Sequence, residues 1–404
     1  MTAKQAERAL AVIMAAAGVL LLLSLFGVLG APWPHSSDST ETEMKMTGQA
    51  ENGDLNQDQD VTPPPAETDE EIAALGLLPL ADNDPDSLTP GGTALRSWPA
   101  DSVVPQIRDV TRTSFVGRDF GPEALSGITV ILDAAHGGAD NGQGVFTALD
   151  DEPVYEKTIT LKMAQMLGER LRSLGANVIY TRTGDTELSL FYRVAFAADY
   201  ALLAYGEEAA LAGYDIEPIR HLRPLMSDIM RINQSSADSG GRGLFGNIGT
   251  PPDLRIIYDI ERQYGDILLI SLQTGFSADE SIRGAHAVYM SNSYIASVNN
   301  GYAAGQPADT LPPNYAGYNS EDRFRLAGLL QAHIVSQIPS LAPENEPVRE
   351  EDMAVLRLSN LNSAVIELGM LSNPEDRAIL TDDESLGTMA NALTNAVYQY
   401  YCLP

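Results

Sequence analysis

Residues 128–140 read I-T-V-I-L-D-A-A-H-G-G-A-D, and the architecture follows from this segment more directly than from any other. The first five residues are apolar except for Thr129, which predicts a short strand buried on both faces of a parallel sheet. Such sheets place functional groups at the carboxyl ends of their strands. Gly137 and Gly138 permit a sharp turn there. His136 is therefore a candidate metal ligand, although a lone H-G-G is more often an ordinary turn.

Two acidic residues are candidate partners for His136. Glu156 begins a helical pattern over residues 155–174, although the helix dipole alone would favour a carboxylate in the first turn. Apolar residues repeat along that pattern at Ile159, Met163, Leu167, Leu171 and Leu174. Glu367 ends a short apolar strand over residues 364–367. An ionised carboxylate at such a strand end needs a charged partner, a proton or a metal.

These motifs resemble the zinc-dependent N-acetylmuramoyl-L-alanine amidase family. The resemblance covers residues 127–401 and rests on D-A-A-H-G-G, the Y-E-K helix start, V-L-R at 355–357 and V-I-E-L-G-M-L-S-N-P at 365–374, in that order. It implies that His136 and Glu156 bind zinc, which activates a water. It also implies that Glu367 is the catalytic acid and base, and that the substrate is the amide between N-acetylmuramoyl and L-alanine in peptidoglycan.

One ligand position departs from the family pattern. The family has a third histidine at a strand end, whereas the matching residues 270–275, I-S-L-Q-T-G, carry Gln273. The glutamine amide oxygen lies as many bonds from Cα as a histidine Nε2, so Gln273 is predicted to reach the same point. A carbonyl oxygen is a poorer zinc donor than imidazole, so we expect zinc to bind more weakly, by about 10 to 100-fold or more.

The remaining histidines are weaker candidates for that position. His286 begins the strand that follows Gln273, and it is predicted to be a hydrogen-bonded strand residue rather than a ligand. His35 lies in a linker, and His221 and His333 are interpreted as surface or packing residues. Cys402 lies far from every motif. The sequence therefore offers no cysteine–histidine or serine–histidine–aspartate arrangement as a competing nucleophile.

Strands alternate with helices over residues 127–404, the predicted catalytic domain. This alternation predicts an α/β fold with a single, mostly parallel, twisted sheet flanked by helices. Residues 96–126 have no clear period and are interpreted as an arm on the domain. Residues 201–265 are interpreted as an insertion, with a helix over 224–233 and a glycine-rich loop. The insertion is either a lid or the target of a regulatory protein near the metal site, or a surface excursion.

The amino-terminal residues predict a membrane anchor. Residues 9–30 are uncharged and long enough to span a bilayer. Lys4 and Arg8 precede them, which predicts that residues 1–8 are cytoplasmic and that the rest faces the cell wall outside the plasma membrane. A cleaved signal peptide is the alternative. Residues 31–95 are interpreted as an acidic, disordered linker. The formal net charge of -30 argues against nucleic-acid binding, and a single cysteine excludes an internal disulfide.

Three functions remain open from the sequence. The first is a membrane-anchored zinc amidase acting on peptidoglycan, which the presence of Glu367 favours. The second is a degenerate amidase fold that binds peptidoglycan or a partner protein, which Gln273 favours. The third is a structural tether of the wall, for which a His136→Ala substitution would change nothing.

Overall fold

A six-stranded sheet organises the residues that the computed structural model describes, namely 104–145, 153–232, 252–302 and 319–404. In chain order the strands are β1 (Thr129–Ala134), β2 (Gly144–Val145), β3 (Val154–Tyr155), β4 (Asn177–Tyr180), β5 (Ile267–Gly275), β6 (His286–Tyr289), β7 (Val348–Glu350) and β8 (Asn362–Met370). The main sheet has the order β4-β1-β5-β8-β6-β7, and β2 and β3 form a separate antiparallel pair. Strands β4, β1, β5 and β8 are parallel, whereas β6 runs antiparallel to β8.

Helices cover both faces of this sheet. In chain order they are α1 (Glu156–Ser173), α2 (Leu190–Leu211), α3 (Glu217–Ile232), α4 (Pro252–Glu261), α5 (Asn292–Tyr302), α6 (Ser320–Gln337), α7 (Ala354–Arg357), α8 (Pro374–Thr381) and α9 (Asp383–Cys402). Short 3-10 helices span Arg112–Phe115 and Pro339–Leu341. The prediction of a mostly parallel α/β sheet flanked by helices is confirmed.

The side chains of each strand alternate between two hydrophobic cores. Val130 and Leu132 of β1 pack with α1, α6 and α9 on one face. Ile131 packs with α2, α3, α4 and α7 on the other face. Because both faces are covered, β1 is buried along its whole length. This burial explains why its sequence is a continuous apolar run rather than an alternation.

The helix predicted over residues 224–233 begins earlier than its proline suggested. Helix α3 spans Glu217–Ile232 and contains Pro224 in its interior. Its apolar side chains at Ile219, Leu222 and Leu225 are buried against the α2 side of the sheet. Since this apolar stripe starts before Pro224, packing of the stripe outweighs the hydrogen bond that proline cannot donate.

Residues 104–126 pack along the domain. Val110 forms a bridge with Tyr264, and Phe115 stacks edge-on against Tyr401 with ring centroids 5.4 Å apart. The predicted membrane span at 9–30, the acidic linker at 31–95 and the glycine-rich loop of the insertion lie outside the described residues. Among the residues described, no helix is both long and apolar enough to cross a membrane.

Candidate active site

His136 lies on a tight turn just beyond the carboxyl end of β1. Its φ is +62°, in the left-handed region that few residues with a Cβ adopt. Gly137 follows with φ +135°, and a Cβ built there would lie 2.2 Å from the carbonyl oxygen of Thr186. Only glycine therefore lets the turn pass so close to that backbone. The sequence prediction that a glycine turn presents His136 at the sheet edge agrees with this geometry.

Two arginines hold the backbone that leads into this turn. Arg193 donates from Nη2 to the carbonyl oxygen of His136 at 2.8 Å, and it is also paired with the buried Asp133. Arg182 donates to the carbonyl oxygens of Ala134 and Ala135 at 2.9 and 3.0 Å. These buried charge-assisted bonds fix the end of β1, and they offset the cost of an unusual backbone angle at His136.

Glu156, the first residue of α1, meets the His136 side chain. The distance between His136 Nε2 and Glu156 Oε2 is 3.2 Å, and the glutamate is 2% exposed. The backbone N–H of Thr274 donates to Glu156 Oε1 at 2.8 Å, and that of Gln143 donates to Oε2 at 3.1 Å. The carboxylate is therefore fixed from two sides. One of these donors, Thr274, directly follows Gln273 on β5.

Asp140 orients the same histidine from the other side of its ring. His136 Nδ1 lies 2.8 Å from Asp140 Oδ2. Burial disfavours the charged imidazolium, but hydrogen bonds and charge from Glu156 and Asp140 outweigh burial and raise the pKa of His136 above its ordinary value. The ring is held between two carboxylates, one at each nitrogen. A metal ion at Nε2 would displace the proton from that nitrogen.

Gln273, Glu367 and His286 form a row across three neighbouring strands. Gln273 is the register partner of Glu367 in the parallel β5–β8 pair, and His286 is the partner of Glu367 in the antiparallel β8–β6 pair. Register partners project to the same face of a sheet. That face is the α2 side, because Leu269 and Val365, an even number of residues away, belong to its core. The structure thus brings Gln273 and Glu367 side by side.

Glu367 forms an ion pair with Arg349 of β7. Arg349 Nη2 lies 2.9 Å from each carboxylate oxygen of Glu367. Burial raises the pKa of Glu367, Arg349 opposes that rise, and the negative charges of Glu351 and Glu156 reinforce it. The net pKa is raised above the usual glutamate range. Glu156 is thus close enough to act electrostatically on Glu367. The His136–Glu156 pair and Glu367 therefore belong to one site.

His286 lies in β6 as a buried strand residue, and its side chain has a hydrogen bond with the backbone of Gly284. Its Nδ1 is buried, lies 3.9 Å from Glu367 Oε2, and has no hydrogen-bond partner among the described residues. Burial, together with the charge of Arg349, lowers the pKa of His286. The neutral form of the ring is therefore favoured beside the candidate catalytic carboxylate. The sequence did not predict its position beside Glu367, because β6 follows β5 in sequence but lies next to β8 in the sheet.

The geometry between His136 and Glu156 suits a divalent ion. Two ligands on a tetrahedral zinc are roughly 3.3 Å apart, close to the observed 3.2 Å. Gly142 leaves the space open, because a Cβ there would lie 2.6 Å from His136 Cδ2 and 2.7 Å from Glu156 Oε2. In the described ranges, no three His, Cys, Asp or Glu side chains form a metal-holding group. The pair consists of one imidazole and one carboxylate, and Gln273 lies on the strand whose next residue, Thr274, donates to Glu156.

Sequence reasoning missed three residues of this site. Asp140 stands four residues after His136, inside the quoted segment, so its carboxylate could have been noticed as the partner of Nδ1. Arg349 lies in a three-residue strand, V-R-E, which has no readable period. His286 was predicted to be a strand residue rather than a ligand, and its Nδ1 lies 3.9 Å from Glu367 Oε2. The positions of Arg349 and His286 depend on strand order, which the sequence does not state.

Comparison with known proteins gives a match over most of the region that contains these residues. The model of the family described as N-acetylmuramoyl-L-alanine amidase matches residues 130–204 and 250–399. YqiI of Bacillus subtilis strain 168, an uncharacterized protein, is 24% identical over 280 residues, which cover 69% of this chain and 87% of YqiI. YrvJ of the same organism is 40% identical over 74 residues, 18% of this chain and only 13% of the length of YrvJ.

A solved structure also aligns with the chain. The crystal structure of an N-acetylmuramoyl-L-alanine amidase from Clostridium difficile 630 aligns with a TM-score of 0.41 and 18% identity. The alignment covers 68% of this chain and 96% of that structure.

Proposed function

We propose, from the premise that the chain belongs to the N-acetylmuramoyl-L-alanine amidase family, that it hydrolyses the amide between N-acetylmuramoyl and L-alanine in peptidoglycan. The observation that carries the proposal is the convergence of His136 and Glu156, 3.2 Å apart, at the edge of the sheet where Glu367 lies. A paired imidazole and carboxylate next to a buried acid is the arrangement that metal-assisted amide hydrolysis requires.

We propose that His136, Glu156 and Gln273 hold the metal ion, with zinc as the first candidate. His136 is the strongest donor, since Asp140 on its other nitrogen fixes the ring orientation as in many metal-binding histidines. Gln273 supplies a neutral oxygen, which suits harder cations better than zinc. We therefore expect zinc to be held more weakly than by a site with a third imidazole. When bound, the ion supplies Lewis acidity toward the scissile carbonyl and the attacking water.

Glu367 is the proposed acid and base. Its carboxylate accepts a proton from the attacking water and then donates it to the leaving amine of L-alanine, which makes the amine a neutral leaving group. Burial raises the pKa of Glu367 toward the range where both transfers are favourable. Arg349 holds both carboxylate oxygens and so fixes the direction in which the acid faces.

We further propose that the chain acts outside the plasma membrane, facing the cell wall. The support is the uncharged run at residues 9–30 with Lys4 and Arg8 before it. A protease added to intact cells should cut the chain on the carboxyl side of residue 30. Protection of the entire chain until the cells are lysed would contradict this placement.

A second candidate function is peptidoglycan binding without hydrolysis. Two features favour it, namely Gln273 at the position where the resemblance implies a third histidine and the ion pair that occupies both oxygens of Glu367. In this case the site would retain the family's substrate shape but would not bind metal productively.

One pair of variants of the full chain separates the two functions. The measurements are bound zinc and release of muropeptides from purified peptidoglycan. If the chain is a working amidase, wild-type turnover falls by at least about 100-fold in Glu367→Gln, as expected on loss of general acid and base catalysis. If the wild type is inert and Gln273→His gains both zinc and turnover, the native chain is a binder with a degenerate site.

A further inference from the structure

A groove between α2 and α3 plays no part in the proposed hydrolysis. It has a volume of about 540 Å³. Its lining is mainly apolar and includes Leu203, Ile216 and Ile219, and its charged members are Glu207, Arg220 and Arg223. The part of the groove after residue 204 lies outside the segments that match the family model. The match to the family model therefore gives no indication of what binds in this part of the groove.

Exposed apolar side chains continue from the end of this groove. Leu211, the last residue of α2, is 90% exposed, and Tyr214 in the following turn is 46% exposed. Large apolar side chains exposed beside an apolar groove are typical of a place where another segment binds. Leu211 directly follows Ala210, and Tyr214 lies two residues before Ile216; Ala210 and Ile216 both line the groove.

The first described residues contact α2, which forms one wall of the groove. The Tyr205 hydroxyl donates to the carbonyl oxygen of Pro105 at 3.0 Å, and the next residue of α2, Gly206, lines the groove. Val104 packs against the same core cluster. The described residues therefore begin beside α2, one of the two helices that form the groove.

One segment of those preceding residues is unlike the acidic sequence around it. Residues 72–80 read I-A-A-L-G-L-L-P-L, without a charge. Three acids precede them, D-E-E at 69–71, and Asp82, Asp84 and Asp86 follow. Exposing apolar side chains to water is unfavourable, so an apolar segment within an acidic linker favours binding to an apolar surface.

We infer that residues 72–80 dock into the groove between α2 and α3. Their leucines would cover Leu203, Ile216 and Ile219. The acidic flanks would meet Arg220, whose side chain is 68% exposed and has a 3.5 Å contact with Glu217. Arg223 already forms an ion pair with Asp199 at 2.9 Å, so it lines the groove but is not proposed to pair with the acidic flanks.

The linker length makes this docking intramolecular. A flexible chain of the 23 residues between 81 and 103 has an end-to-end distance of roughly 27 Å. Such a tether keeps the segment at a millimolar effective concentration near the groove. Weak apolar contacts are therefore sufficient for docking within one chain.

Disulfide formation in the full chain tests the inference. Ala210 lines the groove on α2 and is exposed, so Ala210→Cys gives a reporter thiol there, while Cys402 is buried. It is combined with Leu78→Cys in the segment or, as a control, with Ser87→Cys. The control lies closer to residue 104 along the chain, so an undocked tether would make it react about twice as fast as position 78.

Docking predicts the opposite order. The pair 78–210 should form an intrachain disulfide at least about 10-fold faster than 87–210, and Leu75→Asp with Leu77→Asp should abolish that advantage. A thiol at Glu169→Cys on α1, on the other face of the sheet, should react with neither. Equal or faster reaction of position 87, or insensitivity to the aspartates, overturns the inference. Disulfides formed only between two chains also overturn it, in favour of a second copy as the occupant.

Discussion

A methyl group added at Gly142 should disable the site without removing any of its functional groups. Gly142 adopts φ +64°, and its Cβ would lie 2.6 Å from His136 Cδ2 and 2.7 Å from Glu156 Oε2. Ordinary contacts begin near 3.4 Å, so Gly142→Ala must move the imidazole or the carboxylate by close to an ångström. Both groups are restrained, His136 by Asp140 and Glu156 by two backbone N–H groups.

The expected losses differ for stability and for function. An alanine in the left-handed region costs about 1–2 kcal/mol, which lowers Tm by about 2–8 °C in a domain of this size. Misplacing a catalytic group by about 1 Å can cost on the order of 100-fold in rate. We therefore expect a modest loss of Tm together with about 100-fold lower amidase turnover and at least 10-fold weaker zinc binding.

Gly127→Ala is the matched control for this prediction. Gly127 has φ +78°, a Cβ added there would have no atom within 4 Å, and the residue precedes β1 at the end opposite to His136. It should show the same loss of Tm in calorimetry with unchanged zinc binding and turnover. If Gly142→Ala retains zinc affinity and turnover equal to those of Gly127→Ala, His136 and Glu156 do not form the site.

Three further outcomes are expected. Arg349→Ala should lower kcat by about 10-fold or more with little change in KM, because Glu367 loses its orientation, and Arg349→Lys should recover part of the loss; an unchanged kcat would exclude a positioning role. Asp140→Asn should weaken zinc binding by about 10 to 100-fold, since His136 loses the carboxylate that orients it; equal affinity in equilibrium dialysis would contradict this. Burial raises the pKa of Glu261 from 4.5 to about 8, so its protonated form stabilises the fold at low pH, and this stabilisation is lost as the pH rises through about 8. The Tm difference between Glu261→Gln and the wild type should therefore grow in favour of the variant from pH 5 to pH 9, and a constant difference would refute the assignment.

The parts of the fold that the sequence predicted are those with strong local patterns. β1 and β8 are continuous apolar runs because helices cover both faces of the sheet, and α1 has a complete apolar stripe. Their boundaries differ from the predictions by only a few residues. The start of α3 was wrong because Pro224 was given more weight than the apolar stripe on either side of it.

The sequence could predict one part of the candidate site but not the other, and the reason is the strand order of the sheet. His136 and Glu156 follow one another across a single strand–helix unit, so their encounter follows from local order. Arg349 and His286 reach Glu367 through β6 and β7, which join the sheet beyond β8, out of sequence order. Only the register of β6 against β8 places His286 next to Glu367.

The central claim is that the His136 imidazole and the Glu156 carboxylate together hold one divalent ion. Equilibrium dialysis of the full chain against zinc, with the bound metal measured by mass spectrometry, tests this claim most directly. The account predicts about one zinc per chain in the wild type and loss of that zinc in both His136→Ala and Glu156→Gln, with folding unchanged by circular dichroism. Equal zinc binding by the wild type and both variants would contradict it.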